Sequence, residues 1–234
     1  MIQFEHVTKK FGSATALDDV SLRLDKGKII GVLGANGSGK STFLKLIAGL
    51  IFPTAGNVLV DGEKVTRKIS RKVAYLSELD AYYDSFTVQD MLDFYASQFS
   101  DFRTEKARDI LEFMQIDPSK KWKQLSKGGR GRAKIAFALA REAPILLMDE
   151  PLSGLDPMVR ESIVKGLVSF VDLERQTIVM TTHEIDEVEP LLDEAVFLRN
   201  GTVAERVHVD ELRETSRDSV VNRLKKIDKG EERP

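Results

Sequence analysis

Cysteine is absent from this chain of 234 residues, and histidine is rare. Without cysteine there can be no disulfides and no zinc site that uses thiolate ligands. The three histidines, His6, His183 and His208, are scattered and do not give the spacing of a metal site. The sequence therefore excludes the disulfide-stapled and zinc-finger classes, and it fits a reducing compartment.

An excess of charge of one sign is also missing, since 35 basic and 37 acidic side chains leave a formal charge of −2. Proteins that bind nucleic acids usually carry a basic excess. A local basic patch is compatible with this balance, but the composition leads us to expect no nucleic-acid partner.

Long apolar runs are missing as well. The apolar runs at residues 28–34 and 145–148 are far shorter than the roughly 20 residues that cross a bilayer. The first residues, Met-Ile-Gln-Phe-Glu-His, place a charge where a secretory signal would have its apolar segment. We therefore expect neither a membrane span nor a secretory signal, so any function at a membrane would need a second chain.

Apolar residues nevertheless make up 42% of the chain, which is enough for a buried core at this length. Strand-like runs at residues 29–33, 145–148 and 177–181 alternate with helical patterns. The segments on either side of Asn200-Gly201 predict a hairpin. This alternation predicts an α/β fold whose core sheet has parallel strands.

The middle of the chain has a helical pattern instead. Thr87, followed by Asp90 three residues later, indicates the start of a helix. Thr104 begins another helical stretch, which we expect to end near Asp117. We predict a helical lobe at about residues 87–141.

The last part of the chain is densely and evenly charged. It has too few apolar side chains for a second folded domain. We therefore predict one domain over residues 1–207, with the helical lobe inserted in it, and a solvated, charged helical tail over residues 208–234.

Residues 34–41, Gly-Ala-Asn-Gly-Ser-Gly-Lys-Ser, match the phosphate-loop pattern G-x-x-x-x-G-K-[ST]. A glycine-rich turn with an incidental lysine would give the same letters, but a strand before it and an apolar helix at residues 43–50 favour a nucleotide site. Glycines let backbone N–H groups surround phosphate oxygens, Lys40 can reach the outer phosphates, and Ser41 can offer its hydroxyl to Mg²⁺. The predicted nucleotide-binding residues of this loop are Gly34, Asn36, Gly37, Ser38, Gly39, Lys40, Ser41 and Thr42.

An acidic pair, Asp149-Glu150, follows the strand-like run at residues 145–148. The carboxyl ends of parallel strands are where such folds bind their ligands. Asp149 can hold Mg²⁺ directly or through water, and Glu150 can orient or deprotonate an attacking water. Two acids that merely open a loop before Pro151 are the alternative, which the phosphate loop upstream makes less attractive.

Residues 125–129, Leu-Ser-Lys-Gly-Gly, are similar to the Leu-Ser-Gly-Gly-Gln signature of ATP-binding-cassette (ABC) ATPases. With the phosphate loop and the acidic pair, they make residues 1–207 resemble the nucleotide-binding subunits of ABC transporters, of a bacterial exporter-like kind. The resemblance implies that Ser126 and Gly128 contact the γ-phosphate of ATP on a second subunit. A serine in this place also fits an ordinary helix N-cap.

Four further positions carry the resemblance. Asp156 ends a segment similar to the one that links the two active sites of a dimer, although an aspartate before a proline is also a good N-cap. His183 matches the histidine that senses the γ-phosphate and helps to hold the water. Phe11 takes the place of the aromatic residue that stacks on adenine, or is a core residue at a strand end. Glu78 stands where many members have glutamine, and it could contact Mg²⁺ or water.

The resemblance implies specific roles for the polar residues. The implied catalytic residues are Glu150, His183 and Lys40, and the implied metal ligands are Ser41, Glu78 and Asp149. The departure at Glu78 puts the timing of hydrolysis in question rather than ATP binding, and the departure at Gly129 puts the contact between subunits in question. Lys127 also departs from the signature, but similar cassettes of bacterial exporters often have lysine there.

The resemblance also implies a fold and an assembly. The fold is a P-loop NTPase core with a mostly parallel sheet, an N-terminal antiparallel β subdomain and the inserted helical lobe. The cofactors are ATP and Mg²⁺, and the implied activity is ATP hydrolysis coupled to transmembrane transport. The implied partners are an integral membrane permease and a second ABC ATPase, in a homodimer or heterodimer that is cytoplasmic and peripheral on the inner face of the cell membrane.

Two segments bear on the partner. Residues 79–86 lie where the permease would be contacted, although local packing of the lobe would also explain their aromatic side chains. Trp122, just before the signature, leaves the same two alternatives open.

Three features favour an exporter, namely the Leu-Ser-Lys-Gly form, Glu78 and the lack of a folded C-terminal regulatory domain. An importer subunit is the nearest alternative. A soluble ABC ATPase that acts on ribosomes or DNA is disfavoured by the single cassette and the near-neutral charge.

Overall fold

The computed structural model describes residues 1–79, 82–216 and 218–230. The strands are β1 (Ile2–Phe11), β2 (Ala14–Leu24), β3 (Ile29–Leu33), β4 (Ala55–Val60), β5 (Glu63–Lys64), β6 (Val73–Leu76), β7 (Ile145–Asp149), β8 (Thr177–Thr181), β9 (Glu194–Arg199) and β10 (Thr202–His208). The α-helices are α1 (Lys40–Ile47), α2 (Val88–Gln98), α3 (Thr104–Phe113), α4 (Lys127–Leu139), α5 (Pro157–Phe170), α6 (Ile185–Val188), α7 (Val209–Ser216) and α8 (Val220–Lys229).

The central sheet has the strand order β10-β9-β3-β8-β7-β6 within the described residues. All neighbours in it are parallel except the hairpin of β9 and β10. Every residue of β3, β7 and β8 is buried, because helices or a second sheet cover both faces of the central sheet. The hairpin turns at Asn200 (φ 49°) and Gly201 (φ 80°), two consecutive positive φ angles that suit a tight turn. The predicted α/β fold and the predicted hairpin are both confirmed.

Alternate residues of the central strands feed two separate cores. Ile30 and Val32 face a core shared with α1 and with an antiparallel sheet in the order β2-β1-β4-β5. In that core, Phe4 of β1 stacks on Phe43 of α1 with ring centroids 4.2 Å apart. Ile29 faces the opposite core, which the remaining helices cover. The N-terminal antiparallel sheet expected from the family resemblance is therefore present, packed over the phosphate-loop helix.

The helical stretch that follows β6 begins as the sequence predicts. The hydroxyl of Thr87 accepts a hydrogen bond from the Asp90 backbone N–H (3.0 Å), and the Asp90 carboxylate accepts one from the Thr87 N–H (2.7 Å). This reciprocal pair is a capping box, which satisfies two backbone N–H groups that the helix itself leaves free. Trp122 is fully buried and stacks on Tyr82 at 4.3 Å, so it anchors the core of this region.

Two helix ends differ from the prediction. Helix α1 begins at Lys40 rather than at residue 43, because Gly39 takes a left-handed conformation (φ 107°) that starts the helix directly from the phosphate loop. Helix α3 ends at Phe113 rather than near residue 117. Gln115 turns into the left-handed region (φ 55°), and the Ile116 N–H bonds back to the Leu111 carbonyl at 2.8 Å, which closes the helix.

The C-terminal helices are packed on the domain rather than solvated on all sides, which differs from the expectation for the tail. Val209, Val220 and Ile227 are buried in the larger core. Arg223 of α8 also forms a two-pronged ion pair with Glu205 of β10, at 2.5 and 3.0 Å. The charged composition hid this packing, because a few apolar residues on one face are enough to dock a short helix.

Within the part of the chain that the structure describes, no helix has both the length and the apolar character that crossing a membrane requires.

We expect Trp122→Ala to lower the free energy of unfolding by about 3–5 kcal/mol, because it removes a buried indole and leaves a cavity. Urea titrations followed by circular dichroism would measure the change. The control is Val168→Ala, an exposed apolar residue of α5, which should change stability by no more than about 0.5 kcal/mol. A loss for Trp122→Ala as small as that of the control would show that the indole does not anchor this region.

Candidate functional site

The phosphate loop joins β3 to α1 and can exist only with glycines at two of its positions. A Cβ atom on Gly34 would lie 2.2 Å from the Leu198 carbonyl oxygen, and one on Gly39 would lie 2.6 Å from the Ala16 carbonyl oxygen. A Cβ on Gly37 would meet nothing within 4 Å, so this part of the loop faces open space. The Ser38 hydroxyl is buried without a hydrogen-bond partner among the described residues. The loop thus presents an open cradle at the start of a helix, as phosphate binding requires.

Lys40 is buried at the bottom of this loop. Its Nζ donates hydrogen bonds to the carbonyls of Gly34 (2.9 Å) and Ala35 (3.2 Å), and lies 3.3 Å from Nε2 of His183. Burial lowers the pKa of Lys40, and the nearby carboxylates of Glu150 and Asp149 oppose that shift. The ammonium group is therefore held where phosphate oxygens would meet it.

Asp149, at the end of β7, is buried and accepts hydrogen bonds from three different elements. Its Oδ1 accepts from Ser41 of α1 (3.0 Å) and Thr181 of β8 (2.9 Å), and its Oδ2 accepts from the Tyr75 hydroxyl of β6 (2.9 Å). Burial and the neighbouring Asp149 carboxylate raise the pKa of Tyr75, so the phenol stays a donor. Ser41 and Asp149 form a pair of oxygen groups of the kind that Mg²⁺ prefers.

The sequence alone does not identify Tyr75 and Thr181 as site residues. The register of the sheet places Thr181 directly beside Asp149. It places Tyr75 beside Leu147 on the other side, two residues before Asp149. A polar side chain on each of the two strands beside β7 could have indicated these partners of Asp149. That inference requires the strand order, which the sequence does not show.

Glu150 adopts a left-handed backbone conformation (φ 50°), which is strained for a residue other than glycine. Its N–H bonds to the backbone oxygen (3.1 Å) and the hydroxyl (3.0 Å) of Thr181, which hold it there. Its Oε2 accepts the His183 backbone N–H at 3.1 Å. Its Oε1 lies 3.2 Å from His183 Nε2 but is buried without a proper hydrogen bond.

The surroundings of Glu150 change its acidity. Burial raises the pKa of this carboxyl, and His183 and Lys40 act in the opposite direction. A buried carboxylate with one oxygen that lacks a donor, beside a histidine and a lysine, is suited to hold or deprotonate a water molecule.

Ser126, Gly128 and Asp156 form a second group. Ser126 caps α4 by accepting the Gly129 N–H (3.1 Å), and Asp156 caps α5 by accepting the Val159 N–H (3.1 Å). A Cβ on Gly128 would lie 2.9 Å from the Val159 side chain, so the start of α4 packs closely against the start of α5. Both N-cap interpretations are therefore confirmed, and within one chain these polar atoms serve the helix ends rather than the phosphate loop.

Phe11 and Glu78 lie at the margins of the site. Phe11 is 50% exposed at the end of β1, with Lys9 Nζ 4.8 Å from its ring centroid, so the alternative of a core residue is wrong. The carbonyl of Glu78 accepts a hydrogen bond from Lys134 of α4 (3.3 Å). The negative charge of Glu78 is near enough to favour a higher pKa for both Lys40 and Tyr75.

Comparison with known proteins identifies the family. The family described as ABC transporter matches residues 17–153, more than half of the chain. The ABC transporter ATP-binding protein YtrB of Bacillus subtilis (strain 168) is 29% identical over 92% of this chain and 74% of its own length. A probable sulfate/thiosulfate import ATP-binding protein of Chlorella vulgaris is 34% identical over 90% of this chain and 92% of its own length.

Other relatives are longer than this chain. A choline transport ATP-binding protein of Bacillus subtilis (strain 168) is 31% identical over 94% of this chain, which spans 61% of that protein's length.

Among solved structures, a dimeric ATP-binding cassette in a post-hydrolysis state with ADP and Pi has a TM-score of 0.79 and 26% sequence identity. The match covers 89% of this chain and 99% of that cassette's chain.

The expected export direction finds no support in these relatives, because those whose names give a direction are import proteins. The expected P-loop NTPase fold with its ABC-type arrangement is confirmed by the structural match. The chain belongs to the ABC transporter family and is one of its ATP-binding, ATP-hydrolysing subunits.

Proposed function

We propose that this chain binds Mg²⁺ with ATP at the phosphate loop and uses hydrolysis to drive a separate membrane permease in the import direction. The observation that carries the proposal is the cluster at the carboxyl edge of the central sheet. Lys40 and Glu150 both lie beside His183. Ser41 bonds to Asp149, and Thr181 links Asp149 to the Glu150 backbone. Ligands of open parallel sheets bind at this edge.

The loop residues bind the phosphates in this proposal. The backbone N–H groups of residues 34–42 surround the phosphate oxygens, and Lys40 exchanges its carbonyl partners for them. Ser41 and Asp149 would hold the metal, with Glu78, which follows β6, as a further oxygen ligand. Mg²⁺ bound there would neutralise the negative charge of the outer phosphates. Phe11, which is exposed, offers its ring face to adenine.

Glu150 is the general base in this proposal and His183 its neighbour on the γ-phosphate side. The strained backbone of Glu150 and its contact with the His183 N–H aim its carboxylate into the site. The raised pKa of Glu150 brings it closer to neutrality, where a carboxylate is a better base.

A second copy, or a second ABC ATPase, completes each site. Ser126, Gly128 and Asp156 lie together at the ends of α4 and α5, and their exposed helix N-termini suit a phosphate on another subunit. Support comes from the related cassette whose structure is dimeric with ADP and Pi.

The permease has a matching surface in this proposal. A largely apolar groove between the central sheet and helices α2 and α4 is lined by Leu50, Tyr82, Tyr95 and Phe99 among others. Leu79 and Tyr83 are exposed beside it, whereas Asp80 and Ala81 of the expected contact segment lie outside the described residues. An apolar, aromatic groove suits a helix from a partner. The subunit then lies at the cytoplasmic face of the cell membrane.

Import is the proposed direction because the names of several relatives specify import of sulfate or thiosulfate. These solutes are those of the relatives. For this chain the proposal extends to the direction alone.

Lys40→Ala should weaken ATP binding about ten- to hundredfold, because hydrogen bonds from a charged donor contribute about 1.5–3 kcal/mol. Isothermal titration calorimetry with ATP in magnesium buffer would measure the dissociation constant. Lys120→Ala, which removes an exposed lysine on the helical side of the molecule, should leave the affinity unchanged. Undiminished affinity in Lys40→Ala would overturn the assignment of the loop.

As the pH is lowered, the rate of hydrolysis should begin to fall with a midpoint above the ordinary pKa of glutamate. Glu150 must be ionised to act as a base, and since burial raises its pKa, the active form is lost as the pH falls through that raised value. The measurement is kcat/KM for ATP against pH, which reports the ionisable groups of the free enzyme, with the ATP dissociation constant at each pH to separate titration of the nucleotide. An acid limb at or below the ordinary glutamate value would contradict the assignment.

Glu150→Gln should reduce kcat by about 10²–10⁴-fold while ATP binding persists, because the amide keeps the shape but cannot accept a proton. With ATP and Mg²⁺ the variant should elute as a dimer in gel filtration. The tagged variant, incubated with native membranes, should retain a multi-helix permease together with a substrate-binding protein.

Three other results of this experiment are informative. Rapid hydrolysis by the variant would refute the base assignment. A permease without a substrate-binding protein would refute import, and recovery of ribosomes or DNA would refute the transporter role as a whole.

A further inference from the structure

Arg160, in the first turn of α5, connects two loops of the site without contacting the phosphate-binding residues described above. Its Nε donates to the carbonyl of Leu155 (2.9 Å), and one of its terminal nitrogens donates to Oε2 of Glu184 (2.5 Å). The same nitrogen lies 4.0 Å from Oε1 of Glu187. One guanidinium thus joins the turn after Glu150 to the residue that directly follows His183.

These contacts connect the loop after Glu150 with the loop that contains His183 at two places. From Glu150 the chain turns back on itself, with the Ser153 N–H bonded to the Glu150 carbonyl (3.2 Å), and it reaches Leu155 two residues later. On the other loop, His183 contacts Glu150 through its backbone N–H at 3.1 Å and its ring at 3.2 Å. The two loops are therefore tied to each other at the catalytic end by His183 and at the far end by Arg160.

The side chain of Glu184 is committed to this link instead of to its own helix. Glu184 is the N-cap residue of α6, yet its side chain makes no capping hydrogen bond. The Glu184 backbone N–H is satisfied separately by the Thr182 hydroxyl at 2.9 Å. Glutamate is not among the residues that usually cap a helix, which are Ser, Thr, Asp and Asn, so its carboxylate is available for another partner. Here the carboxylate points to Arg160.

The link is also better shielded than an ordinary surface ion pair. The side chains of Arg160 and Glu184 are 19% and 31% exposed. On the same helix, the pair of Lys165 and Glu161 is 64% and 62% exposed. Water and salt screen the exposed pair strongly, so it contributes little, whereas the shielded and bifurcated contact of Arg160 can hold a geometry.

We propose that Arg160 is a positioning residue for ATP hydrolysis, which acts through Glu184 to hold His183 in register with Glu150. This inference rests on the proposed function of the site. Arg160 contacts the turn and the histidine loop, and the reacting groups are placed by those loops. Catalysis depends steeply on such placement, since a displacement of about 1 Å can reduce the rate about a hundredfold. ATP affinity depends on the phosphate loop, which Arg160 does not hold.

A double-mutant cycle on the full-length chain tests the proposal. Arg160→Met removes the charge and both hydrogen bonds while keeping an extended side chain, and Glu184→Ala removes the partner. We expect each to lower kcat at least about tenfold with the ATP dissociation constant within about twofold, because they disturb placement rather than binding. The double variant should be no slower than the slower single variant, since both substitutions break the same ion pair between Arg160 and Glu184.

Two further variants keep the test decisive. Arg160→Lys, which retains a charge and one donor group, should have an intermediate kcat even if Arg160→Met unfolds. Lys165→Ala removes the exposed pair on the same helix and should hydrolyse ATP at the unsubstituted rate. Circular dichroism on every variant checks that it is folded.

Several outcomes would overturn the proposal. These are an unchanged kcat in Arg160→Met, a rise in KM alone, or a double variant whose loss of rate is the product of the two single losses. If the unsubstituted chain bound and hydrolysed ATP, those results would remove the role of Arg160 and leave the proposed function intact. Failure of the unsubstituted chain to hydrolyse ATP when assembled with the partners recovered from native membranes would overturn both.

Discussion

The buried carboxylate of Asp149 is the constraint on which the rest of the site depends. A charge removed from water is costly unless hydrogen bonds satisfy it. Here donors on α1, β6 and β8 do so, through Ser41, Tyr75 and Thr181. Because all three must reach one side chain, the phosphate-loop helix and the two neighbouring strands can take only one arrangement relative to β7. The phosphate loop is thereby placed next to the acidic pair, although 108 positions separate Ser41 from Asp149 in the sequence.

The position after Asp149 shows what this anchor makes possible. Glu150 has a positive φ that costs roughly 1–3 kcal/mol, and such conformations persist only where the surroundings determine them strongly. Thr181 supplies that determination, because its hydroxyl bonds to Asp149 while its hydroxyl and carbonyl both receive the Glu150 N–H. One threonine therefore couples the fixed carboxylate to the strained one. A smooth end of β7 would direct the Glu150 side chain elsewhere, so the strain is part of how the site is formed.

How much could be predicted from the sequence follows from the range of each interaction. The phosphate loop, the capping box at Thr87 and the turn at Asn200-Gly201 are local, so neighbouring residues reveal them. Tyr75 reaches Asp149 only because of the strand order, and Arg160 reaches Glu184 only because α5 packs on the loop after β8. A linear sequence pattern shows neither of these features. The end of α3 was misplaced for a related reason, because helical periodicity continues beyond the point at which Gln115 adopts a left-handed conformation.

The two groups of polar residues in one chain also give a physical reason for the second subunit in the proposed mechanism. Lys40 already donates to the Gly34 and Ala35 carbonyls, so a phosphate replaces existing hydrogen bonds, and each exchange contributes only about 1.5–3 kcal/mol. Ser126 and Asp156 cap their own helices, so within one chain their side chains serve the N-termini of α4 and α5 rather than the phosphate loop. An outer phosphate placed between two such chains would meet Lys40 of one and the α4 N-terminus of the other. The free energy of nucleotide binding would then depend on the distance between subunits, and in the proposed mechanism this dependence couples ATP to movement.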